Sequence, residues 1–306
     1  MHRPAWAELP LGDHLLAESP RWDAVRQRLS WVDLLGGTVA TATRSGAAWG
    51  EVRRRRLGRM PTAAEPLPDG SLAVAVDGAM CVIDPLGEVS RPVAVTVAHP
   101  EVRTNDMTVD PAGRLLVGLF SEDRVSARGG VVALDLRRRT VTPVVRGYVT
   151  ANGLAVSPDG RGLYAVDTAR ATVRRHRLDG PPEDAGRLLV VHEGPGRLDG
   201  LAVGPDGDLW VAVWDEGLIH RYDPRGTLRQ VLAAPVARPT AVLVIESRDG
   251  RELVVTTARG RLPAAVGGDG GDGGDGGDGD PRPEAVRSPE GSPSAEGRLY
   301  AAPLPD

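Results

Sequence analysis

The chain of 306 residues is predicted to be all-β, a six-bladed β-propeller with four antiparallel strands in each blade. Two observations carry that prediction. Six turns rich in glycine or charge run straight into short hydrophobic strands, which open at Leu29, Leu72, Leu115, Leu163, Leu209 and Leu253. The intervals are 43, 43, 48, 46 and 44 residues, the length of a four-stranded propeller blade. Helical patterning is also nearly absent, since no long stretch sustains apolar positions at a period of about 3.6 residues. A repeat of this size cannot bury a core alone. Stacked neighbours can, and a closed ring leaves no bare end.

Taken in order, the first blade spans 11–50, with polar turns at Gly12-Asp13 and Leu35-Gly36-Gly37. The second covers roughly 51–97, the third 103–147, the fourth 150–193 and the fifth 197–234. The sixth begins near 238, breaks off after ARGRLPAAV and resumes in GRLYAAPL at 297–304, which is expected to pair within the ring. The interrupting tract at about 267–296 is Gly/Asp/Pro-rich and lacks the apolar residues that offset the entropy of ordering. A disordered insertion in an otherwise single domain is therefore expected. Its GGD triplets also lack the periodic apolar residue of a calcium-binding β-roll.

Hydrophobic residues make up 41% of the chain but aromatics only 4%, so Val, Leu and Ala must do most of the packing. No apolar run approaches the roughly 18 residues that cross a bilayer, and MHRPAWAELPLGDHLLAESP lacks the apolar core of a secretory signal. The one cysteine, Cys81, lies in the apolar segment AMCVIDP and reads as an inert core thiol. A cytoplasmic protein without structural disulfides is the expectation. The net charge of −4 is concentrated in the tract at 267–296, which holds eight acids and two arginines. The remainder is near neutral and gives no electrostatic reason to expect nucleic acid. Every basic side chain is arginine, which excludes Schiff-base chemistry. The run Arg53 to Arg56 reads as solvated arginines on a blade edge. The expected partner is a small molecule rather than nucleic acid or a membrane, and the expected state is a monomer or weak homo-oligomer.

There is no GxSxG, HExxH, CxxC or GxxxxGK[ST] motif, and the six histidines are scattered without ligand spacing. What stands out is a set of oxygen-bearing side chains shortly before the strand-opening leucines. Glu18 lies eleven residues before Leu29, and Asn105 and Asp106 lie ten and nine before Leu115. Asn152 lies eleven before Leu163, and Asp199 ten before Leu209. A lone Asn-Gly or Asp-Gly ordinarily marks a turn. Four at one phase of a ring should converge at one mouth of its channel. Carboxylates and amides converging there form a hard-oxygen site suited to one divalent ion, calcium foremost, with magnesium, manganese or zinc as alternatives. Too few ligands are present for a closed cage, and open positions admit water and substrate.

At these residues the chain resembles the regucalcin and gluconolactonase family (senescence marker protein type) of six-bladed propellers. The resemblance spans essentially the whole chain and is carried by AESPRWDAVRQRLSWVD, RTNDMTVDPAGRLLVGLF, ANGLAVSPDGRGLYAVDT and LDGLAVGPDGDLWVAVWDEGLIHRYDPRG. It implies a lactonase in which Glu18, Asn152 and Asp199 hold one divalent metal. It further implies that Arg103 and Asn105 contact substrate, with Glu122 or Asp123 as an acidic neighbour. The chain departs from the family in Met107, in Leu119-Phe120, in Leu198 before the Asp-Gly pair and in Ser19, where the family usually has Gly.

The expected activity is metal-dependent hydrolysis of a small, sugar-type lactone. The ion would polarise the carbonyl, Asp199 would take a proton from water as general base, and Arg103 would present its planar donors to substrate. Two alternatives stand beside it: a non-enzymatic calcium- or small-ligand-binding propeller, and a propeller hydrolase of aryl esters or phosphotriesters.

Overall fold

A computed structural model describes residues 1–95, 101–247, 250–259 and 295–304. Six antiparallel sheets are arranged as a six-bladed propeller, and the one helical element among the described residues is a 3₁₀ turn at Thr168–Arg170. The innermost strands are Ala17–Asp23, Pro61–Pro66, Val102–Val109, Ala151–Val156, Arg197–Val203 and Pro239–Ser247. Each touches the next, and the last touches the first, so the ring closes.

The six leucines that set the period all lie in the second strand of a blade, and all are buried. Burying each contributes about 1.5–3 kcal/mol relative to exposure. Six main apolar clusters coincide with the six seams between blades. One seam packs Leu29, Trp31 and Ala42 of the first blade on Ile245 and Val254 of the sixth. Another packs Val166 and Val173 of the fourth on Leu209 and Val211 of the fifth. Val, Leu and Ala dominate these seams, as the low aromatic content requires. Cys81 is a free, buried thiol in the seam between blades one and two, and burial pushes its pKa up.

Turns from first to second strand are built by aspartate. In PDGD, Asp206 Oδ1 accepts the Asp208 amide at 3.1 Å, and Gly207 adopts a φ of 85°, which favours glycine. The sixth blade draws on both ends of the chain. Leu299–Pro303 pairs with Gly250–Thr257 on one side and with Ala7–Glu8 on the other, so 297–304 does return to the ring. Most of the tract at 267–296 lies outside the described residues.

One boundary differs from the sequence reading. Arg53–Arg56 belongs to the first blade, not the second: it pairs antiparallel with Thr38–Thr41 as an exposed outer strand. A strand of four arginines has no apolar alternation by which to assign it. The solvated-edge reading of its side chains stands, and Arg54 also donates to the Leu11 carbonyl at 2.7 Å. No helix among the described residues is long and apolar enough to cross a membrane.

Candidate active site

All six innermost strands carry a β-bulge at the same place. The register against the second strand shifts between Glu18 and Arg21, Pro61 and Ala63, Thr104 and Met107, Asn152 and Leu154, Leu198 and Leu201, and Pro239 and Ala241. A bulge re-aims a side chain that a regular strand would point into the sheet. Glu18, Asn105, Asn152 and Asp199 sit at or beside these bulges at one end of the channel. The Asn-Gly and Asp-Gly pairs are therefore strand bulges and not hairpin turns. The glycines permit blades to approach closely: a Cβ on Gly153, where φ is 39°, would lie 2.5 Å from the Asp199 carbonyl oxygen.

Asn152 and Asp199 meet directly across the seam between blades four and five. Asn152 Nδ2 donates to Asp199 Oδ1 and also to Thr168 Oγ1 at 3.3 Å, while Asn152 Oδ1 accepts the Gly153 amide. Burial pushes the Asp199 carboxyl up to about 7; the Asn152 hydrogen bond opposes the shift and the charge of Asp106 adds to it. Burial also holds Glu18 well above the usual carboxylate range, and the charges of Asp199 and Asp106 push it further. Two carboxylates and an amide on three blades, with both acids resisting ionisation, match a hard divalent cation whose charge would relieve them. Among the described residues no three His, Cys, Asp or Glu side chains group for a metal, and this set has only two carboxylates.

Arg103 stands on the same rim. Its Nη1 donates to the Thr104 carbonyl at 3.0 Å and to Asn105 Oδ1 at 3.4 Å. Its guanidinium lies 4.2 Å from the ring centroid of Phe120, the single phenylalanine of the chain. Burial lowers the Arg103 pKa, with Glu122 and Glu18 among the acids that oppose the shift. Asp123 is committed to its own loop, where it accepts the Val125 and Ser126 amides. Of the two acids, Glu122 is the one whose charge acts on Arg103. Asn105 Nδ2 is already engaged by the Ala151 carbonyl at 3.0 Å.

Beside this rim lies a charged network in which only Asp106 carried a sequence signal. Arg21 of blade one bonds Glu65 of blade two at 3.0 Å and Asp106 of blade three at 2.9 Å. Asp106 in turn accepts the Leu154 amide of blade four at 2.8 Å. The remaining two ring positions are taken by Thr62 and Thr240, both buried. Thr62 bonds Thr104 at 3.3 Å, and Thr240 bonds the Ala17 carbonyl at 2.5 Å. A groove of about 960 Å³ opens among the first-to-second-strand turns of blades three and four, at the opposite end of the strands from Asn152. Its Arg114 and Arg175 are paired with Asp110 and Asp159.

The SMP-30/gluconolactonase/LRE-like region, as a family model, matches residues 16–259, most of the ring. The chain belongs to that family. A 6-deoxy-6-sulfogluconolactonase of Pseudomonas putida is 30% identical over 250 residues, covering 80% of this chain and 84% of that protein. A pentonolactonase of Haloferax volcanii is 29% identical over 254 residues, covering 80% and 82%. Among solved structures, a calcium-binding protein, regucalcin, from Agrobacterium tumefaciens superposes with a TM-score of 0.79 at 22% identity, covering 98% and 94%. At that identity the likeness speaks for the fold.

Proposed function

We propose that the chain is a lactonase that hydrolyses a small, sugar-type lactone, with Glu18, Asn152 and Asp199 holding one divalent ion, calcium foremost. The observation that carries this reading is the Asn152–Asp199 pair, joined across a blade seam on the rim that also carries Glu18 and Arg103. Membership of a family whose relatives include a pentonolactonase and a sulfogluconolactonase supports the substrate class. When bound, the ion supplies a Lewis acid for a carbonyl oxygen.

The protein's own groups do the rest. Asp199, which a bound cation would keep ionised, takes a proton from the attacking water as general base. Water oxygen bonds the lactone carbonyl carbon, the ring C–O bond breaks, and the ring oxygen takes back a proton to leave a hydroxy acid. Arg103, fixed by Asn105 and Phe120, holds substrate oxygens, with Glu122 as its acidic neighbour. Asn105 serves this purpose by orienting Arg103 through its Oδ1.

A panel of five- and six-membered aldonolactones, an aryl ester and a phosphotriester, assayed with and without EDTA, tests the proposal. Lactone turnover lost to chelation and restored by calcium is expected. Ion binding without any turnover, or turnover of the phosphotriester alone, would overturn it.

A further inference from the structure

The Asn152 amide could present either its oxygen or its nitrogen to the channel, and only the oxygen is an ion ligand. Its neighbours decide between them. Thr168 opens the 3₁₀ turn that follows the second strand of blade four, sixteen residues after Asn152. Its hydroxyl donates its one proton to the Leu198 carbonyl at 2.8 Å, leaving only lone pairs for Asn152. The Asn152 atom facing Thr168 must then be the donor, Nδ2, which bonds it at 3.3 Å. The second Nδ2 proton goes to Asp199. With both Nδ2 protons engaged by Thr168 and Asp199, Oδ1 is the atom left to the channel, one lone pair accepting the Gly153 amide and the other open.

We infer that Thr168 is a positioning residue: it fixes the orientation of the Asn152 amide and ties it to the backbone of Leu198, immediately before Asp199. Two bonds from blade three complete the mount. Asn105 Nδ2 holds the Ala151 carbonyl and Asp106 holds the Leu154 amide, so the bulge carrying Asn152 is gripped on both flanks. Within Thr168 it is the hydroxyl that orients, acting beside Asp199 and the Gly153 amide. Without the hydroxyl the Asn152 amide keeps two bonds, to Asp199 and from the Gly153 amide, and is held less firmly against turning its nitrogen toward an incoming cation.

This inference rests on the proposed ion site, and its test separates the two. Thr168→Val keeps the volume and removes the hydroxyl, while Thr168→Ser keeps the hydroxyl. Calorimetric titration with calcium chloride and with manganese chloride should show at least tenfold weaker binding in Thr168→Val and binding within threefold of wild type in Thr168→Ser. In ion-free protein, the Asn152 side-chain amide resonances should move in Thr168→Val and return in Thr168→Ser. Melting temperatures report whether each variant is folded. Unmoved resonances, unchanged affinity in Thr168→Val, or an equal loss in Thr168→Ser would overturn the orienting role. A wild type that binds neither ion overturns the proposed ion site instead, and the resonances still judge the lock.

Discussion

Asn152 on blade four and Asp199 on blade five share a hydrogen bond across a seam, although 47 residues separate them in the chain. The pair joins a neutral ligand type to the carboxyl that the proposed mechanism uses as base. Ligation and proton transfer can therefore be separated by substitution.

Asp199→Asn keeps an oxygen and the volume but removes the proton acceptor. Weakened though measurable calcium binding is expected, with kcat lower by at least about 100-fold, the scale of general-base catalysis. Stopped-assay kinetics at saturating calcium check this, and a wild-type kcat would remove Asp199 from the base role.

Glu18→Gln should act on the ion alone. Its calcium affinity should fall, and raising the calcium concentration should recover part of the lost rate. No recovery at any concentration would mean that Glu18 contributes more than ligation.

Arg103→Ala should raise KM while calcium affinity stays intact, because Arg103 stands on the substrate side of the rim. Phe120→Leu should raise KM less, by roughly two- to fivefold, since it removes only the stacking that steadies the guanidinium, worth about 0.5–1 kcal/mol. A double variant no worse than Arg103→Ala would show that Phe120 acts through Arg103; additive losses would refute that.

The raised Asp199 pKa predicts a pH-dependent stability in chelated protein. Ordinary aspartate titrates near 3.8, and Asp199 in the fold at about 7, so the folded state holds the proton more tightly. That contribution is complete below about 3.8 and is lost as pH rises through about 7. Urea midpoints in EDTA should therefore show wild type losing stability relative to Asp199→Asn between pH 5 and pH 8. A gap that stays constant across that range would contradict the shift.

Ser19 occupies the bulge after Glu18 with a φ of 50°, a left-handed conformation that favours glycine. Its buried hydroxyl also has no hydrogen-bond partner among the described residues. Ser19→Gly should raise stability by about 1 kcal/mol, the scale of relieving a non-glycine residue in that region. Differential scanning calorimetry checks it, and a lower melting temperature would show that the hydroxyl is needed.

The ring was legible because each blade repeats one local rule, a polar turn followed by a buried leucine, so periodicity alone counts the blades. Phase then brought Glu18, Asn105, Asn152 and Asp199 to one rim. The register shifts that turn these side chains toward the channel left no local mark, because a bulge depends on the partner strand as much as on the residues it displaces. Thr168 is an ordinary threonine until the fold places it between Asn152 and Leu198. Arg21, Glu65 and Asp106 meet from three different blades, a coincidence no single repeat encodes. The two-residue strand Ala7–Glu8 is too short to carry a pattern.

Six bulges at one height amount to six sockets of the same shape, each mounted on its own blade. Glu18, Asn105, Asn152 and Asp199 fill four of them, and Thr62 and Thr240 fill the others with side chains turned to internal bonds. A mutation in one socket alters the rim and a polar bond or two between blades, while the apolar clusters that pack the seams stay in place. Inheritance can therefore rewrite this scaffold's chemistry one blade at a time.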